Sequence, residues 1–264
     1  MLMEVKNQLR VTFLSIKFSL MRELLNKATF ISNIFFMILN NASFIIQWLI
    51  LFSLKDSIGG YHLKEVLLLW GLAASTYGVS HFLFRSAYFL SDTINNGKLD
   101  SFLVMPKNVL ISTITSSIDV SALGDLLYGI IMIFVYGFNI KTFLLFILFS
   151  ITGGLILTSF AVILGSLSFY FSKSDIIADT GNNLITSFAT YPDGIFKGLA
   201  KIMLFTIIPV GISTYIPLKI LTEFNLILFL IVILATIIFI ALAFIIFYKG
   251  LEKYSSSNLM IARI

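Results

Sequence analysis

Residues 28–54, 66–90, 119–138, 142–172 and 225–248 are apolar runs of about 20 residues or more, and one further apolar region lies between 174 and 221. At about 1.5 Å of rise per residue, a helix of that length crosses a hydrocarbon core about 30 Å thick. Backbone in hydrocarbon must satisfy its own N–H and C=O groups, and runs this long read as spanning helices, not strands. Composition agrees. The 264 residues are 58% hydrophobic and 12% charged, against roughly 25% charged in soluble domains, and mean hydropathy is +1.00. The expectation is an all-α integral membrane protein, one membrane domain with six transmembrane helices. There is no cysteine, hence no disulfide framework and no thiolate metal site. The first residues show no short apolar core followed by a small-residue cleavage site, so no cleaved signal peptide is expected.

Six crossings put both termini on one side, and basic residues indicate which. Lys6, Arg10, Lys17, Arg22 and Lys27 precede the first span; Arg85, Lys98 and Lys107 flank the turn after the second; Lys249, Lys253 and Arg263 follow the last. The other side has little beyond Lys55, Lys64, Lys141 and Lys219. The termini are therefore expected in the cytoplasm. The fifth crossing has two solutions. Hydropathy prefers 202–221, but Pro209 and Pro217 break that run into pieces too short to cross as one regular helix. The alternative crosses with the more polar 174–192 and lets 193–221 dip into the outer leaflet and return, which requires protein or water to satisfy its backbone.

In residues 1–27, Val5, Leu9, Phe13, Ile16, Leu20 and Leu24 recur at spacings of three and four with Lys6, Arg10 and Lys17 on another face. That pattern describes an amphipathic helix in the cytoplasmic interface, serving as an anchor or also touching a partner. In the first span, Asn26, Asn33, Asn40 and Gln47 fall every seven residues and share one face. Amides there either bond neighbouring helices or meet cargo. Gly71 with Ser75 and Ala74 with Gly78 mark close helix packing in the second span. Ionisable groups inside the spans are few: His81 and Arg85 on successive turns, and Asp125 in the third span. They form either a structural or gate-closing pair or a proton pathway.

Catalytic constellations are absent. "NGKL" at 96–99 lacks the earlier glycine and the following hydroxyl of a phosphate loop, and His62 and His81 are too few for an imidazole metal site. Asp175 and Asp179 share a helical face without a third group to act with. Residues 95–108, "NNGKLDSFLVMPKN", instead suggest a short amphipathic helix in a cytoplasmic turn: Gly97 allows the turn before it, Leu99, Phe102 and Leu103 share a face, and Pro106 ends it. That apolar face needs a membrane surface or a groove on another protein.

"TINNGKLDSFLVMPKNVL" resembles the I-x-x-G-x-L-D-x-x-L-x-x-P-x-N segment of ATP-binding-cassette type-2 permeases, and "YPDGIFKGLAKIMLFTIIPVGISTYIP" resembles their later Y-P-x-x-I-F…I-P…Y-x-P segment. With "GGY" at 59–61, the resemblance covers essentially the whole chain. It implies a multi-pass permease subunit of an exporter in the bacterial cytoplasmic membrane. Residues 95–108 would be a coupling helix docking on a separate ATPase through Gly97, Leu99, Asp100, Phe102, Leu103 and Pro106. It also favours 174–192 as the fifth span, ending at Tyr191 and Pro192, with 193–221, containing Pro209 and Pro217, as an external re-entrant hairpin. The implied partners are two copies of the ATPase, a second permease subunit, identical or related, and the lipid bilayer, with no nucleic acid. The chain itself would hold no cofactor, and ATP and Mg would be bound by the ATPase. Asn40, Gln47, His81, Arg85, Asp125, Asn182 and Asn183 are the translocation-path candidates. The competing class is an ion-driven carrier or channel, in which His81, Arg85 and Asp125 would be functional.

Overall fold

The computed structural model describes residues 2–171 and 174–255, so the last residue of the 142–172 run and Arg263 lie outside the described residues, as does the side chain of Val5. Twelve α-helices are named here: α1 Leu2–Glu23, α2 Lys27–Leu54, α3 Leu63–Phe84, α4 Leu90–Asn95, α5 Asp100–Leu103, α6 Val109–Ile114, α7 Ala122–Gly137, α8 Ile140–Gly165, α9 Ser174–Ala189, α10 Gly198–Thr206, α11 Ile216–Thr222 and α12 Leu226–Leu251. Among the described residues the only β-type pairing is one isolated bridge, Ile58 with Tyr61. The protein is all-α, as expected. Among the described residues four helical segments are long and apolar enough to span a bilayer: Lys27–Leu54, Leu63–Asn95, Ile140–Phe169 and Leu226–Leu251. A bent pair, Gly198–Thr206 with Gly211–Thr222, makes a fifth if taken together. Helices α7 and α9 have 16 residues each, about 24 Å of rise, so length alone does not make them crossings.

Helices α3 and α8 form the centre, with 72% and 67% of their most apolar windows buried, whereas α2 and α12 bury 11% and 17% and lie outside. The small residues of α3 let α7 approach backbone to backbone. A Cβ on Gly71 would sit 2.5 Å from Met132 Cβ, and one on Gly129 would sit 2.6 Å from the Gly71 carbonyl. On its other side α3 meets α8, where a Cβ on Gly154 would lie 2.7 Å from Val79. In hydrocarbon, where apolar burial drives no association, close packing of this kind holds helices together.

Two features differ from the sequence expectation. The chain bends by 77° between α10 and α11, at the break that contains Pro209, as anticipated. Pro217 makes no break: a π-turn over Gly211–Tyr215 leads directly into α11, and Pro217 sits in its first turn, where a missing N–H costs little. Residues 95–108 contain only the single turn α5, and Leu99 just before it is fully buried with Leu90 and Ile94. Gly97, at φ +67°, makes the reversal.

Helix α1 keeps Leu9 and Phe13 exposed, as an interfacial helix would. It is tied to the segment after α5 by Gln8, whose Oε1 accepts the Asn108 N–H at 2.9 Å, and by Ser15 Oγ, which donates to the Thr115 carbonyl at 2.9 Å. Gln8→Ala is expected to lower stability by about 1 kcal/mol, the usual net worth of such a bond. A fall in the thermal midpoint of purified protein, with no change in oligomeric state, checks this.

Candidate functional site

The candidate site is a cleft of about 480 Å3 bounded by α2, α3, α7 and α9. Helix α2 contributes Asn40, Asn41, Phe44, Gln47 and Trp48; α3 contributes Trp70, Thr76 and Tyr77; α7 contributes Asp125; and the α9 end contributes Thr186, Thr190 and Tyr191. Aromatic rings build its walls. Phe44 stacks on Trp70 with centroids 4.7 Å apart, and Trp48 meets Tyr191 edge-on at 5.9 Å. Such pairs add rigidity beyond their buried area. Asp125 is buried, and its Oδ1 accepts a hydrogen bond from Asn41 Nδ2 at 2.6 Å. Asp125 Oδ2, Thr76 Oγ1 and Trp70 Nε1 have no hydrogen-bond partner among the described residues.

The sequence candidates divide. Asn40, Gln47, Asp125 and Tyr191 line the cleft. Asn182 and Asn183 do not, although they lie on α9; the Asn182 Oδ1 is buried without a partner, and Asn183 is exposed. Asn26 caps the start of α2, accepting the Thr29 N–H at 3.1 Å. His81 stacks between Tyr77 and Tyr88 at centroid distances of 3.6 and 3.9 Å. Arg85 pairs with Asp119 at 3.4 Å, not with Asp125. Asp119 in turn accepts from the Ser121 N–H and hydroxyl at the start of α7. The Arg85 ion pair therefore organises the approach to α7, apart from the cleft.

Sequence reasoning missed Asn41 and the aromatic walls. Asn41 and Trp48 are the two buried residues of α2, seven apart, one position after the Asn40 and Gln47 register. Their signal was the Asn-Asn doublet at 40–41, which places an amide on two adjacent helical faces.

A second cluster joins the two loops that carry "GGY" and "YPDGIF". The Tyr61 hydroxyl donates to Asp193, whose Oδ2 lies 3.0 Å from Lys201 Nζ and 4.0 Å from Lys219 Nζ. The loops touch through their backbones: a Cβ on Gly194 would overlap the Gly59 carbonyl, and Gly59 is itself at φ +61°. Burial pushes the Asp193 carboxyl up, but the Tyr61 hydrogen bond and the two lysines outweigh it and hold the group below the usual carboxylate range. The same burial, with Asp193 beside it, raises the Tyr61 phenol.

A bundle of long apolar helices around an aromatic-walled cleft is the architecture of a multi-span membrane protein. The chain belongs to the ABC-2 family of transporter proteins, whose model, described as "ABC-2 family transporter protein", matches residues 37–258. No curated protein and no solved structure matches it.

Proposed function

We propose that this chain is the membrane-spanning permease subunit of an ATP-binding-cassette exporter, driven by two copies of a separate ATPase that hold the ATP and Mg. A second permease, identical or related, would complete the translocation path. The observation that carries this reading is the turn at 99–106. Leu99 is fully buried while Val104 is 83% exposed, with Leu103 and Met105 beside it also exposed. A rigidly anchored apolar knuckle between helices suits docking on a soluble partner. Asp100 is held by a 2.8 Å bond from the Tyr254 hydroxyl, so the knuckle is also tied to the end of α12.

Six crossings with cytoplasmic termini remain the arrangement that fits this role. Two groups of loops support it. Residues 58–61 meet 193–195, and Lys141 lies 4.6 Å over the Phe224 ring. In the other group α1 meets α6, Tyr254 meets Asp100, and Lys253 lies 4.6 Å over Tyr170. Along the chain α2, α3, α7, α8, α9 and α12 alternate between these groups, which leaves α10 and α11 as the re-entrant hairpin. Asn40, Gln47 and Asp125 would face the path, with His81 and Arg85 packed behind it. The ion-driven alternative loses support because Arg85 and Asp125 have different partners.

The test is mild-detergent purification of the tagged chain from its native host, with ATPase activity assayed on the eluate. Wild type is expected to bring down a nucleotide-hydrolysing partner, and a Leu103→Asp, Val104→Asp double variant to lose about tenfold or more of that activity while eluting at the same volume. Absence of any ATPase with wild type, in a detergent that preserves complexes, sinks the proposal. Leu99→Asp is the wrong probe, because a charge at that buried position acts on folding.

A further inference from the structure

We propose that the cleft between α2, α3, α7 and α9 binds an organic cation, with Asp125 as its counter-charge. The residue is 4% exposed, one carboxylate oxygen accepts from the neutral amide of Asn41, and the other is unpartnered. Intramembrane carboxylates normally pair with a cation or face water. Arg85, the basic residue at the end of the neighbouring α3, is committed to Asp119. No counter-charge pairs with Asp125 among the described residues, and the ligand would supply it.

The walls specify the ligand further. Phe44 on Trp70 and Trp48 against Tyr191 present aromatic surface that attracts a delocalised or alkylated cation. A divalent metal ion would meet Asp125 as a single carboxylate, since no group of three His, Cys, Asp or Glu side chains occurs among the described residues. An anion would meet a carboxylate and no positive side chain on the lining. The volume, about 480 Å3, lies within the range of drug-sized ligands. Trp70 Nε1 and Thr76 Oγ1, both on lining residues, are buried without a partner and would gain one if a bound molecule parted the wall.

This inference rests on the transporter reading for its purpose, but binding is measured independently of any ATPase. The chain, with whatever copurifies, is placed in lipid nanodiscs, and ethidium binding is followed by fluorescence anisotropy against empty discs. N-phenyl-1-naphthylamine serves as a neutral aromatic probe. Asp125→Asn keeps the shape and removes the charge; it is expected to weaken ethidium at least about tenfold and leave the neutral probe unchanged. Phe44→Leu, on the exposed helix, is expected to weaken ethidium about threefold or more and serves if Asp125→Asn does not fold. Equal ethidium affinity in wild type and Asp125→Asn, unchanged affinity in Phe44→Leu, or no binding by monodisperse wild type overturns the proposal. Charge-dependent binding without a copurifying ATPase would leave the cation site standing and remove the cassette partner. The reverse pattern would do the opposite.

Discussion

Gly129→Leu is expected to abolish recovery of monodisperse protein, the largest loss foreseen for any single change in this fold. A Cβ at 129 would lie 1.7 Å from Ser75 Oγ and 2.6 Å from the carbonyl of Gly71. The hydroxyl can rotate, but the carbonyl is part of α3 and can move only if the helices part. Overpacking ordinarily costs about 1–3 kcal/mol, and here the contact is backbone against backbone in the most tightly joined helix pair. Gly129→Ala is therefore expected to lower the thermal midpoint by several degrees, and Leu to remove the folded peak in size exclusion. Ile131→Leu, on an exposed position of the same helix, controls for expression. Gly129 lies one turn beyond Asp125, so the Ala variant should also loosen the Asn41 bond and weaken the cleft. A Gly129→Leu protein that eluted and melted like wild type would show that α3 and α7 are not joined as described.

The close packing of α3 was legible in sequence because Gly71, Ser75, Ala74 and Gly78 have spacings with few other uses in a membrane helix. The face of α2 was legible only to within one residue. A seven-residue recurrence tells which amides share a stripe, but not which stripe a neighbour covers; Asn41 meets Asp125 across 84 residues of chain, and no local pattern encodes that. The aromatic walls were illegible for the same reason, since Phe44, Trp70 and Tyr191 come from three separate segments. At 95–108 the apolar period suggested one face for Leu99, Phe102 and Leu103. The helix is only four residues long, too short for a 3.6-residue period to fix direction, so the reversal at Gly97 turns Leu99 inward and leaves Leu103 and Val104 outside. Asp193 sits inside the YPDGIF segment, but its partners could not be read there: its lysines lie 8 and 26 positions further on and its tyrosine far upstream.

Asp193→Asn is expected to produce the second large effect, with a pH dependence that identifies its cause. At neutral pH the substitution removes the acidic partner that Lys201 and Lys219 share and offers the Tyr61 hydroxyl a weaker acceptor, so the loop at 59–61 should detach from the loop at 193–195. Removing one member of a buried charged hydrogen bond typically costs about 1.5–3 kcal/mol. Because the folded carboxyl is held below its ordinary value, the unfolded chain binds the proton more readily. Its stabilisation is thus fully present above the ordinary aspartate value of about 4 and is lost as pH falls through the lower folded value. The gap in thermal midpoint between wild type and Asp193→Asn should stay level from pH 8 to about pH 5 and close on further acidification. Tyr61→Phe should lower the midpoint at neutral pH and shrink the acid limb, since the strongest interaction holding the carboxyl down is lost while both lysines remain. A gap that widened as pH fell would mean that the folded state prefers Asp193 protonated, and the lysines would then have to be held in place by something other than this carboxylate. If the gap closes as expected, one buried aspartate fastens the α2–α3 connection to the loop before α10. Movement of the α2–α3 connection would then reach α10 and α11 through the Asp193 charge pairs as well as through the packing of Tyr61.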